Sequence, residues 1–127
     1  MAGNGIGAVC WTDLTVPDAD RVAEFYRQVV GWTSTPFEMG GYRDYCMNVP
    51  TTGQTVAGVC HARGLNADLP PQWLIYIVVA DVDQSIAECE RLGGEVIAGP
   101  REMEGQGRFC VIRDPAGAVA ALIAPKK

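Results

Sequence analysis

Apolar and polar positions in the first sixty residues follow two different periods. From Ala8 to Val16 they alternate every second residue, which predicts a strand. The period then becomes helical, with Asp18 as the N-cap and Gly31 as the stop. Three further strands are predicted at Trp32–Phe37, Tyr42–Val49 and Thr55–Cys60. The first half therefore predicts a βαβββ unit.

The second half repeats this order of elements. Trp73–Val79 reads as a strand, and Asp81 with Gln84 forms a capping-box-like start to a second helix. Gly93-Gly94 ends that helix. A strand is predicted at Glu95–Ile97, followed by a polar loop at Gly99–Gly107 that is either a lid or a plain connection. The chain then forms a hairpin, whose strands Phe109–Ile112 and Val119–Ile123 flank the turn Asp114-Pro115-Ala116-Gly117.

A constant offset of 63 positions relates the two halves, which indicates an internal duplication. It pairs Val16 with Val79, Asp18 with Asp81, Asp20 with Asp83, and Gly31 with Gly94. We predict one domain over residues 1–127 of class α+β, with module one at about 8–61, a linker at about 62–71 and module two at about 72–124. One module alone leaves a sheet face uncovered, so two must associate.

Composition narrows the function classes. A chain of 127 residues is long enough for one core, and a net charge of −5 argues against nucleic acid. No apolar run is long enough to span a bilayer, and the N-terminus lacks the features of a secretory signal, so we expect no membrane partner. Five cysteines without a Cys-x-x-Cys pair favour free thiols and a cytoplasmic location.

The strongest motifs are the strand-to-helix openings, the helix stops and the final turn. They are Val16-Pro17-Asp18, Glu24-Phe25-Tyr26, Gly31-Trp32, Val79-Ala80-Asp81, Gly93-Gly94 and Asp114–Gly117. Together they resemble the vicinal oxygen chelate superfamily of glyoxalases, bleomycin resistance proteins and extradiol dioxygenases. The resemblance implies two modules whose mixed sheet curls around a cleft, and a homodimer. It leaves open whether the modules pair within one chain or across the dimer.

Metal-dependent members of that superfamily carry ligands on the first and last strand of each module. The resemblance carries these positions to Trp11, Gly58, Leu74 and Ala121. None of these side chains offers a metal-ligating atom, so we predict no metal and no cofactor. The single histidine, His61, adjoins Cys60 but lacks two further ligands; a solvated or hydrogen-bonded role is the simpler interpretation.

The cleft would then be lined by aromatic, small apolar and a few polar side chains. Alternation places Trp11 beside Asp13, and Leu74 beside Tyr76. A four-residue turn in the last hairpin would place Arg108, Cys110 and Ile112 on the face of Ala121. The predicted ligand-binding residues are Trp11, Asp13, Leu74, Tyr76, Arg108, Cys110 and Ala121. Alternatively, Asp13 and Arg108 pair with each other or with the backbone, and Trp11 fills the former metal site.

Three functions remain open at this point. The first is a metal-free protein that binds a small hydrophobic or aromatic molecule, as in drug sequestration. The second is an enzyme: a lyase or isomerase using Asp13 or Tyr76, or a dioxygenase-type metalloenzyme with ligands that the motifs do not reveal. The third is a regulatory interaction module with a closed cleft. No catalytic residue is assigned, and the sequence favours binding over catalysis.

Overall fold

The computed structural model of the chain describes residues 5–103 and 105–126, without the side chain of Leu65. Its elements are β1 (Val9–Val16), α1 (Ala19–Val30), β2 (Thr33–Glu38), β3 (Arg43–Asn48), β4 (Thr55–His61), a short 3-10 helix (Gly64–Asn66), β5 (Trp73–Val78), α2 (Val82–Arg91), β6 (Glu95–Met103), β7 (Gly107–Arg113) and β8 (Val119–Pro125). The order βαβββ occurs twice, and the strands pair in both parallel and antiparallel fashion. The predicted α+β class is confirmed.

The helix boundaries follow from local side-chain chemistry. The Asp18 carboxylate accepts a hydrogen bond from the Arg21 amide, and Asp81 accepts one from the Gln84 amide. Both bonds satisfy amides that have no partner within the helix. Gly31 ends α1 with a φ of 88°, a left-handed conformation that favours glycine. The capping residues predicted from the sequence are therefore confirmed.

The structure divides into two compact units, which we call the central unit (Thr12–Trp73) and the terminal unit (the described parts of 5–11 and 74–126). In the central unit the strand order is β2-β3-β4-β1, with β1 parallel to β4 and the other pairs antiparallel. Helix α1 covers one sheet face. The core there consists of Leu14, Val16, Ala19, Ala23, Met47, Ala57 and Val59.

The terminal unit has the matching strand order β5-β8-β7-β6, with β5 parallel to β8. Helix α2 covers one face through a core of Val82, Cys110 and Leu122, with partly buried Ile77, Ile86 and Ile112 around it. The repeat is visible in the register. Asp13 pairs with Gly58 in the central unit, and Tyr76 pairs with Ala121 in the terminal unit, each 63 positions later. The module boundaries predicted from sequence stay a prediction, because the compact units divide β1 after Trp11.

The outer strands differ from the sequence prediction. The prediction of a polar loop at Gly99–Gly107 is wrong: β6 continues to Met103, β7 begins at Gly107, and the Gln106 amide donates a hydrogen bond to the Met103 carbonyl oxygen. The register of β6 shifts twice, at Val96/Ala98 and at Ala98/Arg101, which hid the strand from a period-two pattern. Strand β2, with Pro36 in its middle, is paired only with β3 among the described residues.

Candidate ligand-binding face

The sheet face of the central unit that points away from α1 carries most of its polar side chains. Cross-strand partners share a face, so the register groups these residues together. We call this set the polar face: Asp13, Thr15, Thr35, Phe37, Asp44, Cys46, Asn48, Gly58 and Cys60. Only Asp13 of this set is also among the predicted ligand-binding residues. Among the described residues, the polar face contains two carboxylates and no lysine or arginine.

Acidic and thiol groups lie close together at the centre of the polar face. Asp13 is 9% exposed, and the Asp44 side chain is 17% exposed. Burial, reinforced by the nearby Asp13 and Asp44 carboxylates, raises the pKa of the Cys60 thiol well above its usual range. Burial raises the pKa of Cys46 as well, with Asp44 adding to it. Both thiols therefore stay protonated at neutral pH and are poor nucleophiles.

A short hydrogen-bond chain fixes the β3 end of this face. The Asn48 amide donates to the Thr35 hydroxyl at 3.0 Å, and the Thr55 hydroxyl donates to the Asn48 carbonyl oxygen at 2.7 Å. Asn48 is only 7% exposed, so these bonds satisfy a buried amide. These bonds fix the donor and acceptor atoms of Asn48 at this end of the face.

The equivalent face of the terminal unit is apolar. It consists of Leu74, Tyr76, Val78, Phe109, Val111, Ala121 and Ile123, all at most 4% exposed. The Tyr76 and Phe109 rings are 6.5 Å apart, and the Arg101 guanidinium lies 5.3 Å from the Phe109 ring centre. The predicted residues Leu74, Tyr76 and Ala121 therefore lie together, within a packed surface.

The predicted register of the last hairpin is wrong by one residue. Arg113 pairs with Val119, so the connection is the five-residue segment 114–118 instead of four residues. The Asp114 carboxylate accepts hydrogen bonds from the amides of Ala116 and Ala118, which closes the longer turn. A shift of one residue moves every side chain to the opposite face. Val111, instead of Cys110, therefore lies beside Ala121.

Arg108, Cys110 and Ile112 consequently lie on the face that α2 covers, which corrects their predicted place with Ala121. Cys110 is fully buried in the α2 core. The Arg108 guanidinium binds Asp83 of α2 at 2.9 Å and Glu102 of β6 at 3.1 Å, and it borders a cavity of about 400 Å³ at the β6–β7 turn. These carboxylates raise the pKa of Arg108. The ion pairs of Arg108 are thus with α2 and β6, which the sequence did not predict.

The three tryptophans lie in different parts of the structure. Trp11 is half-buried at the end of the terminal unit's share of β1, and its binding role stays a prediction. Trp32 and Trp73 pack with Tyr26 against the α1 core, with ring centres 5.2 to 5.9 Å apart. The Trp73 indole N–H donates to the Tyr26 hydroxyl at 3.1 Å. These two tryptophans are partly buried and pack against the core.

The side chains at the four inferred metal positions do not fit a metal. Gly58 has no side chain, Ala121 is a buried methyl group, and Trp11 and Leu74 carry no ligating atom. Within the described residues, no group of three or more His, Cys, Asp or Glu side chains is arranged to hold a metal ion.

Fold and site together define an α+β domain of two βαβββ modules in which Trp11, Gly58, Leu74 and Ala121 occupy the inferred metal positions. The model of the glyoxalase/bleomycin resistance protein/dioxygenase superfamily matches residues 8–122. This protein belongs to that superfamily. No helix in the described part of the chain has the length and apolar character needed to cross a membrane.

Relatives and solved structures agree with this assignment. The chain is 32% identical over 122 residues to "Putative glyoxylase CFP32" of Mycobacterium bovis, and 34% identical over 131 residues to the anthracycline biosynthesis protein DnrV of Streptomyces peucetius. These alignments cover 96% and 91% of the chain but 46% of each relative, so the chain spans about half their length. A variant of Streptomyces coelicolor methylmalonyl-CoA epimerase bound to 2-nitronate-propionyl-CoA has a TM-score of 0.61 at 19% identity, covering 97% of this chain and 100% of the epimerase chain. That likeness shows the fold alone.

Proposed function

We propose that this protein binds a small aromatic or hydrophobic molecule on its polar face without using a metal. The carrying observation is the composition of that face: two largely buried carboxylates, hydroxyls and an amide surround Gly58, which stands at an inferred metal position and has no side chain. Phe37 adds an aromatic ring that is 60% exposed on the same face. In a ligand site, precisely placed polar groups fix the orientation of the ligand, and an aromatic ring supplies apolar contact area. Drug sequestration in the cytoplasm is the cellular role that we propose for such binding.

Charge narrows the ligand class. With Asp13 and Asp44 present and no lysine or arginine among its described residues, the polar face favours neutral or cationic molecules over anionic ones. A coenzyme A thioester, whose phosphates are anionic, is thus a poor candidate for this face. The proposed ligand differs in this respect from those of the epimerase structures.

A thermal-shift comparison of two acridines tests the proposal. The cation 9-aminoacridine should raise the melting temperature, because ligand binding stabilises the folded state. Acridine-9-carboxylate has the same ring system and an opposite charge, and it should raise the temperature less. Phe37→Ala should reduce the shift, whereas the matched Phe25→Ala on α1 should not. If neither acridine nor a wider panel of aromatic compounds stabilises the protein, the binding proposal is wrong and a closed interaction module becomes the better interpretation.

A second candidate is a metal-independent lyase or isomerase with Asp13 as general base. It is favoured by the position of Asp13, a buried carboxylate in the middle of the polar face. A neutral aromatic ketone such as 2-tetralone in deuterated water tests this reading, since a base that removes the proton next to the carbonyl group allows deuterium to replace it. Incorporation that Asp13→Asn abolishes at unchanged stability would establish an enzyme; no incorporation would remove this substrate.

We also propose a homodimer. Phe25 and Val29 lie one helical turn apart on α1 and are 55% and 64% exposed, beside Val30 at 53%. Exposed apolar patches mark interaction surfaces. Sedimentation analysis should show a dimer that Val29→Glu weakens, while Leu92→Glu, at an equally exposed apolar residue at the end of α2, should leave it intact. A monomer at all concentrations would contradict the proposal.

A further inference from the structure

His61, the only histidine of the chain, lies between a carboxylate of α1 and a carboxylate of the polar face. It ends β4, and its side chain is 11% exposed. Its Nε2 faces Asp20 of α1 at 3.9 Å, and its Nδ1 faces Asp44 of the polar face at 3.5 Å. Both ring nitrogens are therefore directed at carboxylates on opposite sides of the sheet.

The surroundings of His61 hold the ring in place. The Tyr42 ring packs edge-on against it at 5.3 Å, and the Arg63 guanidinium lies 3.9 Å from the centre of the Tyr42 ring. On the helix side, the Tyr45 hydroxyl donates a 2.6 Å hydrogen bond to Asp20, and this bond raises the pKa of Tyr45. The imidazole thus has little freedom to turn away from Asp44.

Asp44 makes two contacts with His61: one is a hydrogen bond of normal length, and the other is longer than a normal hydrogen bond. Its Oδ1 accepts a 2.9 Å hydrogen bond from the His61 backbone amide. The same oxygen is 3.5 Å from Nδ1, which is buried and makes no hydrogen bond to the described residues. A movement of roughly 0.5 Å would bring these atoms within normal hydrogen-bond distance. A buried ring nitrogen without a partner favours closing that gap.

Asp44 also lies beside the most exposed aromatic ring of the polar face. Its cross-strand partner is Phe37, whose ring is 60% exposed, and it hydrogen-bonds with Cys60 on the other side. A carboxylate beside an open aromatic ring matches a ligand that carries a hydrogen-bond-donating or cationic group on a planar apolar body.

We propose that His61 is a positioning residue that holds the Asp44 carboxylate toward the polar face, where Asp44 and Phe37 bind such an aromatic donor or cation. This inference rests on the proposed binding function and names the ligand class and the residues that select it. His61 acts through Asp44 and does not itself touch the ligand.

Binding of 9-aminoacridine to matched variants tests the ligand side of the proposal. Asp44→Asn should weaken binding about tenfold or more, because it removes a charge-assisted contact. His61→Leu should weaken binding by about three- to tenfold, and His61→Asn should restore much of it, because its amide nitrogen can donate near the position of Nδ1. The double variant His61→Leu/Asp44→Asn should be no weaker than Asp44→Asn alone, since both act through one carboxylate. Asp68→Asn, an exposed acid in the same unit, is the control.

Nuclear magnetic resonance of the single imidazole tests the link without depending on a ligand. The ring nitrogen resonances of His61 should change in Asp44→Asn and not in Asp68→Asn. In the wild-type protein they should also change on addition of 9-aminoacridine. Unchanged nitrogen resonances in Asp44→Asn would overturn the proposal, as would wild-type affinity in Asp44→Asn or His61→Leu. If no acridine binds at all while Asp44→Asn still shifts the resonances, the binding function fails and only the His61–Asp44 contact stands.

Discussion

Tyr76 lies beside Ala121 across the parallel β5–β8 pair, and the two side chains are 4% and 0% exposed. Position 121 is one of the four positions to which the family resemblance assigns a metal ligand. Around it, Val111 and Phe109 supply only apolar surface. The methyl group is therefore part of a packed face, and a carboxylate placed there would be buried without a partner.

A glutamate at position 121 should destabilise the folded protein without creating a metal site. Ala121→Glu should lower the free energy of unfolding by about 3–5 kcal/mol, as expected for an unpaired buried charge. Urea unfolding measures the loss, with Ala116→Glu in the exposed turn as the control. A stable Ala121→Glu protein whose melting temperature rises with Zn²⁺ or Ni²⁺ would show that donors do surround this position.

Two phenylalanines should separate stability from binding. Phe109 is 1% exposed in the terminal unit, and Phe109→Ala should cost about 3–5 kcal/mol of unfolding free energy. Phe37 is 60% exposed, and Phe37→Ala should stay within about 0.5 kcal/mol of wild type while weakening ligand binding. Urea unfolding and acridine titration of both variants provide the comparison. A strongly destabilised Phe37→Ala would mean that this ring is structural.

Arg108 should matter little for the ligand, because it lies on the α2 side of the sheet. Its pairs with Asp83 and Glu102 are largely exposed, and such pairs contribute modestly and are screened by salt. Arg108→Ala should change the dissociation constant for 9-aminoacridine by less than about twofold, and any stability loss should shrink at high salt. A large loss of affinity would indicate that Arg108 contacts the ligand, as the register with a four-residue turn predicts.

Arg108 shows which features of the structure can be predicted from the sequence and which cannot. Helix caps such as Asp18 and Asp81, and the 63-residue repeat, are local or periodic signals, and they were sufficient to predict the fold. The face of Arg108 depended on one residue of turn length, which the Asp114 side chain sets through its bonds to Ala116 and Ala118. An Asp-Pro-Ala-Gly segment is compatible with either length.

The polar face was largely missed for a related reason. Asp13 was found because β1 alternates clearly, but Asp44, Cys46 and Cys60 come together only through the β3–β4 register. That register shifts between Met47 and Asn48, which no single-strand pattern reveals. His61 gave a visible signal as the only histidine in the chain, yet its carboxylate partners lie 41 and 17 positions away in sequence.

The buried thiols predict how stability responds to alkaline pH. Burial raises the pKa of Cys110 to about 11, from the ordinary 9.0. Above about pH 9 the unfolded chain loses a thiol proton that the folded protein keeps, so the free energy of unfolding should fall as pH rises toward about 11. Below about pH 9 this group should have no effect. Urea unfolding at neutral pH and at about pH 10 measures the loss.

Cys110→Ala provides the control for this effect. It should reduce the slope between the two pH values, although Cys60 leaves a residual slope because its pKa is raised as well. An unchanged slope in Cys110→Ala would mean that the Cys110 thiol ionises equally in the folded and unfolded states.

Pro36 in β2 and the two register shifts in β6 affect how copies of this protein meet in a crowded solution. An outer strand with regular free amides is a template onto which another chain can add a strand and begin a fibril. Proline removes one such amide from β2, and the irregular β6 offers no straight row of donors and acceptors. Both outer strands therefore resist edge-to-edge growth, and aggregation by strand addition should require unfolding first.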